Sequence, residues 1–399
     1  MTAAPNQAAE VGPTTPTLTA RSTVLAAAML TIMAPAVIAP SLPAMREAFA
    51  AVTGAEVLVR LVLTITSLAI GLSAPLAGMV ADRVGRKPLL VSSLALFALA
   101  GVSGYFADTL GALLVTRAVL GVAVGGIMTA VSATITDWFD GPRRASFLGL
   151  QQAFAGIGGV VFLPLAGLLA AADPKSPFLI YACSAAILPF ALLALREGRR
   201  HDELGPLLDE GRPERGTLRS IGGLYLLALL VTLAFYMAPT QLPFLLADLG
   251  AGPAVVGAVI AGTTLSSVGG ALAFPRLRNR WHRNVLTAAS IALLGIGWVL
   301  IGMADTVAQV LVGLLVGGFG VGFAVPNLNL RLGELAPAAR RGRILSGLVT
   351  GIFLGQFLSP LIVQPLIAAT GIGGAFLWTG IAMTTGAILA AITLLPTTN

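Results

Sequence analysis

Apolar runs long enough to cross a bilayer recur along this chain, and its polar residues are concentrated in the short intervals between them. A hydrocarbon core of about 30 Å takes about 20 residues of helix. The first run follows Arg21 and extends from Ser22 to Ala44. Others cover residues 57–81, 88–107, 110–136, 147–171 and 177–195. After the longest charged interval, Arg196 to Ser220, come runs at 221–246, 254–274, 285–304, 307–330, 344–368 and 374–395. The pattern predicts an all-α membrane protein with twelve transmembrane helices. It divides into a tail (1–20), a six-helix bundle (21–196), a linker (197–219) and a second six-helix bundle (220–399).

Composition agrees with that reading. Apolar residues make up 56% of the chain and charged ones only 10%, where soluble domains carry about 25% charge. A soluble protein must give much of its surface to water and has nowhere to hide so many apolar side chains. The Ala-, Pro- and Thr-rich tail is expected to be disordered, and it lacks the early basic residue and short apolar core of a signal peptide. The net charge of +7 lies in connectors and not in a basic domain, which argues against a nucleic-acid partner. The single cysteine, Cys183, sits in an apolar run as a small packing residue, and no disulfide framework is available within the chain.

Placement of Lys and Arg orients the helices. With the N-terminus inside, twenty of the 24 Lys and Arg residues fall on the cytoplasmic side. Only Arg46 and Lys175 fall outside, while Arg60 and Arg117 lie within helices. Both termini are therefore expected in the cytoplasm, with the protein in the cytoplasmic (inner) membrane.

The two sets of helices repeat each other at an offset of 197 residues. Asp137 with Arg143-Arg144 falls on Glu334 with Arg340-Arg341, Gly121 and Gly125 fall on Gly318 and Gly322, and Arg83 and Arg86 fall on Arg280 and Arg283. With a small insertion, Ala39-Pro40-Ser41-Leu42-Pro43 matches the segment from Ala238 to Pro243. Such a repeat implies two pseudo-symmetric bundles that can rock about a site at the midplane.

Between the second and third helices the chain reads Gly78-Met79-Val80-Ala81-Asp82-Arg83-Val84-Gly85-Arg86-Lys87. This resembles the signature loop of the major facilitator superfamily, complete at Gly78, Asp82, Arg83, Gly85, Arg86 and Lys87. The resemblance implies a transporter of the major facilitator fold, most like the drug and metabolite exporters that exchange solute for protons. It implies a charge network in which the loop and Asp137 hold one face shut. The second half would use Arg280, Arg283 and Glu334, more weakly because Asn279 stands where Asp82's counterpart belongs. Alternatively, these bases only set topology.

Arg117, followed by Gly121, Gly125 and Gly126, is similar to the family's fourth-helix pattern, where the arginine is associated with proton coupling. The alternative is a structural arginine bonded to backbone carbonyls. The fifth helix has Gly149, Gly156, Gly158, Gly159, Pro164 and Gly167, a loose version of the antiporter pattern without its Gly-Pro pair. No carboxylate lies deep in the first helix. Glu56, near Arg60, is the acid nearest the membrane interior, and an i,i+4 salt bridge is the simplest account of that pair.

Helices one, four, seven and ten line the cavity in this family. Candidate substrate contacts on them are Met29, Met33, Tyr236, Thr240, Gln241, Asn327 and Asn329, joined by Gln151, Gln152 and Gln356 from helices five and eleven. Each polar member has interhelical hydrogen bonding as its alternative. Amides, a tyrosine and arginines without an acid suit neutral or anionic solutes. The expected partners are a small-molecule substrate, protons and membrane lipids, around a monomer. No cofactor or metal is expected. The chain has no Gly-x-x-x-x-Gly-Lys, His-Glu-x-x-His or Gly-x-Ser-x-Gly motif, which excludes an ATP-driven pump within it and argues against an enzyme. An importer or facilitator of a small anionic or neutral metabolite is the competing expectation.

Overall fold

The computed structural model describes residues 16–195, 215–336 and 341–394. The expectations for residues 1–15, for most of the linker and for Arg340 lie outside the described residues. The first half comprises α1 (Leu18–Ala36), α2 (Leu42–Ala48), α3 (Ala55–Val84), α4 (Arg86–Ser103), α5 (Leu110–Trp138), α6 (Gly141–Ala172) and α7 (Cys183–Ala194). The second comprises α8 (Arg215–Phe235), α9 (Met237–Asp248), α10 (Pro253–Arg280), α11 (Arg283–Gly302), α12 (Val307–Leu335) and α13 (Arg341–Leu394). A 3-10 segment, Ser176–Ala182, leads into α7.

Among the described residues, eleven stretches are long and apolar enough to cross a membrane. The last, Ile344–Leu389, has 46 residues. At 1.5 Å per residue it reaches roughly 69 Å, about twice the hydrocarbon thickness. It turns at Gly371, whose φ of 75° belongs to the left-handed region that glycine enters freely. The stretch is therefore two crossings, which makes twelve.

The first crossing of each half is broken at a corresponding place. Pro35 and Pro40 interrupt the path from α1 into α2, and Tyr236 and Pro239 mark the step from α8 into α9. Proline withholds a donor from the helix ladder, and hydrocarbon supplies no replacement. Buried aromatic side chains donate at both breaks. The Tyr181 hydroxyl bonds the Ala34 carbonyl at 2.6 Å, and Trp298 Nε1 bonds the Ala234 carbonyl at 2.9 Å.

Packing follows the repeat. In the first half α5 packs on α3 and α4, and in the second α12 packs on α10 and α11. Two seams join the halves, α6 with α10 and α3 with α13. Each seam is closed at one end and open at the other. A Cβ on Gly156 would meet Val268, and one on Gly167 would meet the backbone of Pro253 and Ala254. Gly149, two turns from Gly156 on the same face of α6, has nothing within 4 Å. Likewise Gly71 of α3 abuts Phe353 of α13, whereas Gly78 has open space. The halves thus touch over the membrane half remote from the Arg-rich ends and part toward the basic face.

Glycine also allows close approach within each half. A Cβ on Gly322 of α12 would strike the Ser267 backbone carbonyl of α10, whereas one on Gly333 would meet nothing within 4 Å. Gly322→Leu should therefore cost about 1–3 kcal/mol through overpacking and lower the melting temperature in detergent. Gly333→Ala should leave it unchanged or slightly raised. Equal melting curves for the two variants would contradict this packing.

Candidate functional site

The charged groups form three separate arrangements. The first lies at the basic face. Gly85 has φ 109° and ψ 164°, a conformation that only glycine adopts without strain, and it turns the chain directly from α3 into α4. That turn sets Arg86 between two acids. Arg86 Nε lies 3.0 Å from Asp137 and Nη2 lies 3.8 Å from Asp82. The second half repeats the pair, with Arg283 bonded to Glu334. Within each half, then, an arginine at the start of one helix meets an acid of a neighbouring helix, Arg86 with Asp137 and Arg283 with Glu334. Lys87 donates to the Leu192 carbonyl at 2.6 Å and ties α4 to α7.

The second arrangement encloses Arg117, 1% exposed, inside the first half. Its Nη2 donates to the Gly101 carbonyl of α4 at 3.0 Å. Its guanidinium lies 4.7 Å from the ring centres of both Phe178 and Tyr181. A Cβ on Gly101 would collide with Tyr181, and one on Gly104 with Phe178, so these glycines make the space. Tyr181 then reaches the break after α1. Arg117 is thus linked to the first helix by way of an aromatic ring, and Gly101, Phe178 and Tyr181 around it all belong to the first half.

The third arrangement crosses between the halves. Arg60, Thr64 and Ser67 lie at i, i+4 and i+7 on one face of α3, each fully buried. Arg60 Nε donates to Gln241 Oε1 of α9 at 2.8 Å, and its guanidinium lies 4.6 Å from the Phe244 ring centre. On its own helix it meets Glu56 twice, through the backbone carbonyl at 2.7 Å and the carboxylate at 3.3 Å. Arg46 adds a second cation, 5.0 Å from the centre of the same Phe244 ring. Two turns below Arg60, the Ser67 hydroxyl donates to Gln356 Oε1 of α13 at 2.8 Å.

Several polar atoms here lack a hydrogen-bond partner among the described residues: Arg60 Nη2, Gln241 Nε2, Thr64 Oγ1 and the Tyr236 hydroxyl. A buried polar group without a partner costs about 1–3 kcal/mol. A solute or water entering between the halves can answer these groups.

The other sequence candidates fall elsewhere. Met33 is fully buried, and Met29 meets α6, where a Cβ on Gly158 would strike its carbonyl. Thr240 bonds the Tyr236 carbonyl of its own crossing at 2.7 Å. Gln151 reaches Ser132 at 3.4 Å, and Gln152 is exposed. Asn327 turns toward α11 and donates to Thr287 Oγ1 at 2.8 Å. Asn329 bonds Val325 on its own helix at 3.1 Å. The structure therefore gathers Arg60, Glu56, Gln241 and Gln356 at one seam, with Tyr236 at the break of the seventh crossing. It adds Thr64, Ser67 and Phe244. The signal for Thr64 and Ser67 was the Arg60, Thr64, Ser67, Gly71 stripe at helical spacing; Phe244 had none.

The family model described as Major Facilitator Superfamily matches residues 24–221 and 224–399. This chain belongs to that superfamily. It is a transporter and not an enzyme, consistent with its relatives. The tetracycline resistance protein, class C, of Escherichia coli is 26% identical over 340 residues, covering 81% of this chain and 82% of that protein. The class H protein of Pasteurella multocida is 25% identical, covering 81% of each. Among solved structures, a D-xylose-proton symporter matches with a TM-score of 0.76 at 16% identity, covering 93% of this chain and 96% of the other. The inward open conformation of the E. coli xylose transporter matches with a TM-score of 0.74 at 13% identity, covering 94% and 95%. At these identities the structures speak for the fold.

In this major facilitator protein the Arg60–Gln241 bond joins the halves directly. Interhelical hydrogen bonds in membranes average about 0.6 kcal/mol and reach about 1.7. Arg60→Ala, Gln241→Ala and the double variant should show a coupling of about 1–2 kcal/mol in a melting cycle. Additive effects would mean that the two side chains do not meet in the membrane.

Proposed function

We propose that the protein is a secondary active transporter of the cytoplasmic (inner) membrane that exports a small organic solute, a drug or a metabolite, in exchange for protons. The observation that carries the alternating-access part of this reading is the pair of seams, sealed at one end by polar and close-packed contacts and parted at the other. The direction is supported by similarity over four-fifths of the chain to two proteins named for tetracycline resistance. The orientation, with both termini cytoplasmic, rests on the positive-inside rule. The state described here then opens to the cytoplasm, where an exporter takes up its cargo.

In this reading the solute enters from the basic face and settles between the halves. Tyr236, Gln241 and Gln356 supply its polar contacts. A solute that donates to Gln241 Oε1 competes with Arg60 for that oxygen. On the other side Glu56, with a side chain 53% exposed, can be reached by protons from outside. Its protonation removes the carboxylate charge from Arg60 and leaves the guanidinium with the Glu56 backbone carbonyl, Gln241 and Phe244. Solute and proton thus act on the same latch from opposite sides, which is the differential contact that a coupled transporter requires. The ion pairs Arg86–Asp137 and Arg283–Glu334 lie within the separate halves in this state. When the basic face closes, they provide the charges for its seal. Arg117 holds the first half together as it moves. One chain contains both halves of the pathway, so the working unit is a monomer.

Inverted vesicles decide the matter. An imposed inside-acid gradient should drive accumulation of the transported compound, tetracycline being the first probe. Glu56→Gln should make transport insensitive to the gradient, and Arg60→Ala should reduce the rate at least about tenfold, the equivalent of about 1.4 kcal/mol. Gradient-independent transport in the wild type would instead assign a facilitator.

A further inference from the structure

The halves differ at the basic end of the second one. A cavity of about 540 Å³ opens there between α8, α11 and α12. Leu224, Leu227 and Ile291 give it an apolar wall, while Thr287, Arg283 and Arg331 make one side polar. Arg283 is neutralised by Glu334, as Arg86 is by Asp137 in the first half. Arg331 has no such equivalent, because the residue 197 positions earlier is Thr134. Two arginines and one carboxylate leave this mouth with an added positive charge.

That charge is held in place. Arg331 Nη1 donates to Thr287 Oγ1 at 2.9 Å, and Asn327 Nδ2 holds the same hydroxyl at 2.8 Å. Asn327 is 1% exposed, so this hydroxyl is fixed from the interior of the half. The helix α11 also starts at this mouth, with His282 as its cap and the positive end of its dipole directed here. A half-buried guanidinium fixed by a hydroxyl beside a helix start is arranged for an anion. The aliphatic side chains on the other wall are arranged for a chain of methylenes.

We propose that this cavity binds an anionic phospholipid, its phosphate on Arg331 and the first turn of α11 and an acyl chain along Leu224, Leu227 and Ile291. Charge complementarity favours a lipid over a soluble phosphate compound, because the cavity joins an apolar wall to a basic rim where the helices leave the hydrocarbon. The site lies apart from the Arg60 seam, and its occupancy is independent of which solute is carried or in which direction.

The test uses full-length protein in detergent with phosphatidylcholine, doped with phosphatidylglycerol and examined by native mass spectrometry. Wild type should retain phosphatidylglycerol in preference to phosphatidylcholine. Arg331→Thr, which installs the residue of the first half, should reduce that retention about fivefold, the value of one basic residue near a headgroup. Arg331→Lys should restore it. Ile291→Trp, which fills the apolar wall without altering charge, should lower retention while leaving the melting temperature within a few degrees. Equal retention by wild type and Arg331→Thr would overturn the proposal, as would parallel loss of both lipids. Displacement of phosphatidylglycerol by glycerol phosphate at equal concentration would overturn the lipid assignment in favour of a soluble phosphate compound.

Discussion

Hydrocarbon offers no hydrogen bonds, and most features of this molecule answer that fact. The described segments within the membrane are helical, and the proline breaks in the first and seventh crossings receive side-chain donors from Tyr181 and Trp298. Charges at depth must bring their own partners. Arg117 and Arg60 show two solutions. Arg117 is surrounded by a carbonyl and two aromatic rings of its own half, so its surroundings travel with it. Arg60 takes Gln241 and Phe244 from the opposite half, so any motion that separates the halves removes part of its coordination. A charge answered across a moving boundary can respond to what enters there.

The repeat sharpens this contrast. At the offset of 197, the α3 stripe Arg60, Thr64, Ser67, Gly71 becomes Gly257, Ala261, Thr264, Val268 on α10. The α3 side of the molecule is joined by hydrogen bonds and cation–ring contacts. The α10 side is joined by close backbone approach, where a Cβ on Gly257 would strike the Leu163 carbonyl. Two seams related by near-symmetry are thus held by different forces, and the first has a charged group, Arg60, whose partners a solute or a proton can compete for.

Much of this was legible in the sequence. The apolar runs correspond to the observed helices, the break at Pro40 and its partner at Pro239 are visible as matched segments, and the offset foretold that Glu334 stands to Arg283 as Asp137 stands to Arg86. Two kinds of detail were not. The placement of Arg86 beside Asp137 depends on the turn at Gly85, which ends α3 at Val84 and begins α4 with Arg86. Asn327 was expected in the cavity but faces α11, and Thr64, Ser67 and Phe244 were passed over. In helices apolar on nearly every side, periodicity carries little information about which face meets which neighbour. That rotation is set by packing, here by glycines at positions such as Gly158, Gly257 and Gly322.

The central claim is that the halves rock about the midplane, opening one end as the other closes. Spin labels placed in pairs measure this directly. Gly149→Cys with Gly269→Cys reports the basic end of the α6–α10 seam, and Ala50→Cys with Gly252→Cys reports the opposite end. Conditions that promote transport, solute together with a pH gradient in reconstituted vesicles, should shorten the first distance and lengthen the second within one sample. Distances that stay fixed, or that lengthen and shorten together, would contradict the account.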